Sequence, residues 1–436
     1  MKIRLTTFML FTALCTSQIQ GQNIGEGFEI GGWKDFKTAA ISYTFDDNFS
    51  NQLGVIVPIF DEFDYKLTLF TFTNSFNAAD WDGLNEAVEN GHEIGSHTVT
   101  HSNLSELSDE QQIKELADSK ETIETNIPGY KVQTIAYPFC VPGNDDLTSQ
   151  YYIAARGCSG QIVPKTPSNF MNISSMIIGT EGYSTTEALN GRADAAVSSG
   201  GWAIFLGHDL DSNSGYSPVS SEEIRGNLEY ISETPSKFWV DSFGNVVKYI
   251  QERNAASVTE VSANENKIEV EITDTLDNSI YDHPLTIRRV LPEDWDSAAV
   301  TQDTLKLEVR IIVNGDQKFA QFNAIPDAGL ITLEKAVATS TENNGHEKSQ
   351  SFNLIQNYPN PFNPSTNIVY DVQKSGKVKI VVYNTLGRNI ETLVNEIKTP
   401  GKYTVQWDGT NEASGTYFYR YDTEEFMRTG TMQLIK

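Results

Sequence analysis

Helical periodicity runs out at about residue 255, and this change of pattern constrains the fold more than any composition figure. Before it, apolar runs alternate with amphipathic ones. Residues 39–45, 67–73, 132–139 and 202–207 read as strands, and residues 82–90, 108–127, 145–156, 185–199 and 238–253 read as helices. Ser108-x-x-Gln111 is a capping-box arrangement that opens the longest of these helices. Repeated strand-then-helix units predict an α/β domain, a parallel sheet or barrel with helices outside. After the change, residues 267–272 and 305–311 alternate strictly between apolar and polar, which predicts half-buried antiparallel strands.

The chain of 436 residues accordingly divides into five parts. Residues 1–22 carry Lys2 and Arg4, then an apolar stretch, then small and polar residues, the layout of a secretory signal peptide. Residues 23–254 form the α/β domain. Residues 255–338 have the size and patterning of a small β-sandwich of unassigned role: spacer, glycan-binding module or lid. Residues 339–351 are polar and aperiodic and read as a linker. Residues 352–436 are again all-β, short strands separated by Gly, Pro and Asn turns, which suits a second small sandwich.

Lys and Arg number 32 against 58 Asp and Glu, a formal net charge of −26, so nucleic acid is a poor partner because phosphate recognition needs a basic footprint. Beyond the first twenty residues no apolar run is long enough to span a bilayer, so no transmembrane segment is expected. Of three cysteines, Cys140 and Cys158 remain after the leader. In an oxidising compartment they form either one disulfide or two buried free thiols.

Candidate chemistry concentrates in the first domain. Asp46 and Asp47 close the apolar run 39–45, and strand ends facing loops are where α/β barrels keep their active sites. Strand alternation points adjacent side chains apart, so one carboxylate can hold a metal while the other stays free as a base; a solvated turn is the plainer reading of two adjacent acids. His97 and His101, at i and i+4, would share one face of a helical turn, a spacing that grips one Zn²⁺. Four of the six histidines, His92, His97, His101 and His208, lie in this domain. Two histidines and one carboxylate leave coordination positions open, as a catalytic metal needs. His92-Glu93 does not open a metalloprotease helix, because His97 falls five residues on instead of four and Gly91 and Gly95 argue against a helix. His208 ends the run 202–207 and is either a general acid or a half-buried structural histidine. Asp209-x-Asp211-x-Asn213 is read as a polar loop, since Gly215 falls one position late for an EF-hand. A serine esterase is excluded by the lack of any G-x-S-x-G.

Taken in order, Thr44-Phe45-Asp46-Asp47, Ser96-His97-Thr98-Val99-Thr100-His101, Ala136-Tyr137-Pro138-Phe139 and Leu206-Gly207-His208 resemble the motif set of the polysaccharide deacetylases of carbohydrate esterase family 4, the NodB-homology fold. The resemblance covers residues 38–254 and implies a distorted (β/α) barrel with fewer strands than a full TIM barrel. It implies that Asp47, His97 and His101 hold a divalent metal, Zn²⁺ with Co²⁺ or Ni²⁺ as alternatives. It further implies that Asp46 is the general base, that His208 is the general acid and that the backbone N–H near Phe139 is an oxyanion donor. The implied reaction is hydrolysis of acetyl groups, as N-acetyl amides or O-acetyl esters, on a carbohydrate polymer such as a chitin-type glycan or acetylated xylan. Two positions depart from the pattern. Asn48 stands where the family usually has Gly, a mild change because asparagine tolerates a left-handed backbone. Ala136 stands where many members carry an arginine that orients the base, and Arg156 is a candidate to supply that charge from another direction.

The run from Leu354 to Thr366 (LIQNYPNPFNPST), with Val382-Tyr383-Asn384-Thr385-Leu386-Gly387, Trp407-Asp408-Gly409 and Gly415-Thr416-Tyr417-Phe418-Tyr419, resembles the C-terminal sorting domain of type IX secretion. That implies export through the periplasm to the outer surface or the medium, with the type IX machinery as a partner. The competing reading is a surface glycan-binding protein that kept the fold without catalysis.

Overall fold

In the computed structural model the described residues are 22, 23, 27–336 and 356–436, without positions 77, 213, 214, 316, 359, 361, 373–375, 385–388, 400 and 424–426. The expected leader, up to residue 21, and the expected linker at 339–351 lie outside the described residues.

Two short strands come first, β1 (Gln22–Asn23) and β2 (Phe28–Ile30). The parallel sheet follows: β3 (Ala39–Asp46), β4 (Thr68–Thr71), β5 (Glu93–Ser96), β6 (Thr134–Ala136), β7 (Ala154–Arg156), β8 (Met176–Ile177), β9 (Trp202–Gly207) and β10 (Phe238–Val240). Its order is β7-β6-β5-β4-β3-β9-β8, with β10 also paired to β3. Every residue of β3 is buried, polar Ser42, Thr44 and Asp46 included, as in parallel strands covered on both faces. β10 pairs with the start of β3 and β4 with its end. At the far side Ile173 bridges Arg156, and β8, just after it, pairs with β9. The two ends of the sheet therefore meet, and the sheet curls into a distorted (β/α) barrel.

The helices are α1 (Val57–Glu62), α2 (Ala78–Glu89), α3 (Asp109–Asn126), α4 (Asp145–Thr148), α5 (Thr186–Ser199), α6 (Ser221–Glu233) and α7 (Phe243–Ala255). Both halves of the capping box form at α3: Gln111 N–H donates to Ser108 Oγ, and Ser108 N–H donates to Gln111 Oε1. Such a cap contributes about 1 kcal/mol. Gln112, Leu116, Ser119 and Ile123, spaced four, three and four apart, form its buried face. α5 stops where Gly200 turns left-handed (φ 64°).

Several elements differ from the sequence expectation. The helix expected over residues 145–156 ends at Thr148, and Ala154–Arg156 is the buried strand β7. Residues 238–240 are strand β10, and the helix starts only after Ser242, whose hydroxyl accepts from Asn245 N–H. Short apolar runs fit a buried strand as well as a helix, and only pairing to β6 and β3 separates the two. α1 and α6 arise where no helix was expected.

After α7 come β11 (Ser257–Ala263), β12 (Lys267–Thr273), β13 (Leu285–Val290), β14 (Ala298–Gln302), β15 (Leu305–Leu307), β16 (Val309–Asn314), β17 (Gln317–Ala324) and β18 (Ile331–Lys335). They build two antiparallel sheets, β11-β12-β18-β14-β15 and β1-β2-β13-β17-β16. The single strand expected over residues 305–311 is divided at Glu308, with β15 in one sheet and β16 in the other. The second sheet takes β2 from ahead of the barrel, Ile30 facing Ile287. Trp33, Trp202, Trp239, Phe243 and Tyr249 share one apolar cluster with Ile268, Ile287, Trp295 and Leu333. The change of pattern at residue 255 is thus a change of secondary structure inside one compact unit, Met1–Thr339.

The second unit, Ser340–Lys436, contains β19 (Gln356–Tyr358), β20 (Ser365–Val372), β21 (Gly376–Asn384), β22 (Asn389–Lys398), β23 (Gly401–Asp408), β24 (Gly415–Asp422) and β25 (Met427–Leu434). Its sheets are β19-β20-β23 and β22-β21-β24-β25, packed on Phe362, Tyr370, Ile380, Trp407 and Tyr421. No helix among the described residues is long and apolar enough to cross a membrane.

Candidate active site

The C-terminal ends of β3, β5, β6, β7 and β9 converge on one group of polar side chains. Asp46 is the last residue of β3 and is buried; Asp47 and Asn48 follow in the left-handed region (φ 73° and 59°). That turn swings Asp47 away from Asp46. Asn48 holds it by donating from Nδ2 to Phe72 O and Ser75 Oγ, both at 2.8 Å.

His97 comes directly after β5. Its Nδ1–H donates to Ala136 O (2.8 Å), which leaves Nε2 as the free lone pair. The stretch from His97 to His101 is not the helical turn expected from the i, i+4 spacing. It is a loop that turns at Thr98 (φ 70°) and His101 (φ 58°). Glu115 of α3 holds the loop by accepting from Val99 N–H, Thr100 N–H and Thr100 Oγ. Hydrogen bonds to a charged acceptor contribute about 1.5–3 kcal/mol each.

The loop brings His101 Nε2 to 3.1 Å from Asp47 Oδ1, with His97 Nε2 at 3.4 Å from the same oxygen. The ligand atoms of Asp47, His97 and His101 all lie within 4.8 Å of one another. Asp47 Oδ1 is buried yet takes no aligned hydrogen bond from either imidazole. One carboxylate grouped with two imidazoles at this spacing is a donor set that suits a divalent cation. Burial opposes ionisation of Asp47, but the His101 and His97 rings against it hold its carboxyl far below the usual carboxylate range.

Asp46 lies behind this triad. Its Oδ2 accepts from Arg156 Nη2 and is 3.8 Å from His97 Nε2; its Oδ1 is buried with no partner. Arg156, fully buried at the end of β7, faces Ala136 in the β6–β7 register and lies over the Phe70 ring. His208, just past β9, places Nε2 at 3.9 Å from Asp47 Oδ2. Burial holds the His208 imidazole below its ordinary value, against the pull of Asp46 and Asp47.

Phe139 sits in a tight turn, with φ 58° there and 59° at Cys140, and its ring meets His101 edge-on at 4.7 Å. Cys140 is disulfide-bonded to Cys158, with Cα atoms 5.5 Å apart, so the turn after β6 is tied to the segment after β7. His92 lies elsewhere, at the start of β5, accepting from Leu67 N–H and facing Asp61 at 3.0 Å.

Residues 34–152 match the family model for polysaccharide deacetylase, and residues 356–435 match that for the secretion system C-terminal sorting domain. The chain carries a polysaccharide deacetylase domain and a C-terminal sorting domain. A gellan lyase of a Bacillus species is 29% identical over 328 residues, 70% of this chain but 13% of that protein. YxkH of Bacillus subtilis strain 168, which bears a polysaccharide deacetylase name, is 30% identical over 98 residues, 22% of this chain and 35% of that protein. The chain thus spans about a third or less of the length of these curated relatives. The solved Xyl-CE4 domain of a multidomain xylanase from the hindgut metagenome of Trinervitermes trinervoides is 20% identical, with a TM-score of 0.36, over 48% of this chain and 89% of that one.

Two side chains of the deacetylase domain were not foreseen from its motifs. Gln52 is buried and its Nε2 donates to the carbonyls of Asp46 and His208, joining the ends of β3 and β9. Glu115 is the other, the brace of the histidine loop. Gln52 opens a short π-helical turn and Glu115 lies on the amphipathic helix α3, and a polar residue in either place carries no local mark of such a role.

Proposed function

We propose that the protein is an exported, metal-dependent deacetylase that removes acetyl groups from a carbohydrate polymer. The grouping of Asp47, His97 and His101, with the unpartnered Oδ1 of the neighbouring Asp46, carries the reading. Asp47, His97 and His101 would hold the cation: Zn²⁺, with Co²⁺ and Ni²⁺ as alternatives. When bound, it supplies Lewis-acid polarisation and a lowered pKa for water.

The remaining roles fall to this chain's own groups. Asp46, held at Oδ2 by Arg156, keeps Oδ1 to take the proton of the attacking water. The Phe139 N–H, on a turn fixed by the disulfide, donates to the oxygen that becomes negative as the acetyl carbon turns tetrahedral. His208, whose Nε2 lies 3.9 Å from Asp47 Oδ2, donates a proton to the leaving nitrogen or oxygen. Its lowered pKa makes the protonated ring a stronger acid. Acetate and the free amine or hydroxyl result. The sorting domain supports delivery by type IX secretion to the outer surface or the medium.

The test is acetate release by the full chain from chitooligosaccharides and acetylated xylan, with added Zn²⁺ and with chelator, beside His97→Ala and Asp46→Asn. Metal-dependent release that both variants lose is expected. A folded, metal-loaded protein that releases no acetate from either substrate would leave glycan binding without catalysis.

A further inference from the structure

Among the described residues, two large aromatic side chains are exposed: Phe139 at 65% and Tyr216 at 51%. Both lie at the active site. Phe139 meets His101 edge-on at 4.7 Å, and His101 approaches Oδ1 of Asp47. Tyr216 meets His208 edge-on at 4.9 Å, and His208 approaches Oδ2 of the same carboxylate. In the strand order Phe139 follows β6 and Tyr216 follows β9, which lie on either side of β3, the strand whose end carries Asp47.

Neither ring hangs on a loose loop. Phe139 lies between Pro138 and a disulfide-bonded cysteine. Tyr216 lies between two pinned neighbours. Gly215 N–H donates to Asp209 Oδ2 (3.1 Å), and Asp209 Oδ1 also accepts from Asn51 Nδ2 (2.7 Å). A Cβ at Gly215 would fall 2.4 Å from the Asp209 side chain, so this close approach requires glycine. On the other side, Ser217 Oγ donates to Ile178 O (2.9 Å) and accepts from Glu181 N–H (3.0 Å). Holding an apolar ring in water on a fixed backbone gains nothing for folding. It pre-organises a surface for an amphipathic partner.

We propose that Phe139 and Tyr216 are two sugar-stacking walls that seat a pyranose chain across the metal triad, one unit on each side of the acetylated one. The C–H face of a pyranose is the flat, weakly apolar surface that an aromatic ring covers, while its hydroxyls stay in water. Two such walls select internal units of a chain over a lone sugar. The inference rests on the deacetylase reading for which unit reacts, but not for the binding itself.

The experiment compares the full chain with Tyr216→Leu, Tyr216→Phe and Phe139→Leu. The first readout is the ratio of kcat/KM for chitopentaose to that for N-acetylglucosamine. Tyr216→Leu and Phe139→Leu should each lower it about tenfold, mainly through KM, as lost uniform binding does, and Tyr216→Phe should keep it. The second readout is calorimetric binding of chitopentaose to Asp46→Asn, with and without Tyr216→Leu, which needs no turnover. Weaker binding with Tyr216→Leu at an unchanged melting midpoint supports the walls. An unchanged ratio and unchanged binding overturn them. Absence of acetate alongside Tyr216-dependent binding would sink the catalytic reading alone.

Discussion

Arg156 lies on the carboxylate of Asp46, 110 residues earlier in the chain, and stands opposite Ala136 on the neighbouring strand. Residues paired across parallel strands point to the same face, so the small side chain at 136 leaves that layer open to a guanidinium from β7. On the proposed deacetylase reading, Arg156 would serve in place of an arginine at position 136.

Removing the guanidinium should leave a buried, unpaired carboxylate, a change that costs about 3–5 kcal/mol when one partner of a buried pair is lost. Arg156→Ala is therefore expected to lower kcat about 100-fold and to lower the melting midpoint. Moving the charge back, as Ala136→Arg with Arg156→Ala, should recover at least tenfold of the lost kcat. Full kcat in Arg156→Ala alone would make the pair merely structural.

The disulfide spans 18 residues and joins the turn that carries Phe139 to the segment just after Arg156. Closing a loop of that size stabilises the fold by roughly 3 kcal/mol. Cys140→Ser with Cys158→Ser should lose about that much in urea denaturation and should lower kcat more than it raises KM. A double variant with unchanged kcat would show that the turn is held without the cross-link.

Glu252 is buried against the sandwich; its Oε1 accepts from His283 N–H and its Oε2 has no partner. Burial pushes its carboxyl up to about 8. A carboxyl raised in the folded state keeps its proton where the unfolded chain loses it. Its contribution is full below the ordinary carboxylate range and is lost as pH rises through about 8. Glu252→Gln should therefore gain stability over the wild type between pH 5 and pH 9, on the order of 2–3 kcal/mol. Melting midpoints across that range would check it, and a constant difference would refute it.

Truncation after Asn254 should give an aggregating product, because Trp239 and Tyr249 pack in one cluster with sandwich residues and β2 loses its partner strand β13. Each large apolar side chain uncovered costs about 1.5–3 kcal/mol. A chain cut after Thr339 should stay soluble and cooperative. Gel filtration and thermal unfolding of the two fragments separate these outcomes.

Local physics made much of this molecule legible in one dimension. The Ser108–Gln111 box needs only residues three apart, and Trp202–Gly207 is apolar throughout because both its faces are covered. The Lys267–Thr273 alternation is a period of two that survives in the burial of Ile268, Val270 and Ile272. The residue types at 46, 47, 97, 101 and 208 carried their chemistry with them, so the candidate site could be named before any geometry was known. What needed tertiary structure was every choice between partners. Ala154–Arg156 and Phe238–Val240 are strands because β6 and β3 offer them backbone hydrogen bonds, which no local propensity records. His97 and His101 meet Asp47 through a loop braced by Glu115, not through a helical turn, because two left-handed residues outweigh the i, i+4 rule. Arg156 finds Asp46, and β2 finds β13, only once the barrel has curled and the sandwich has closed on it. Those contacts join residues far apart in the chain, and a pattern read along the chain has no term for them.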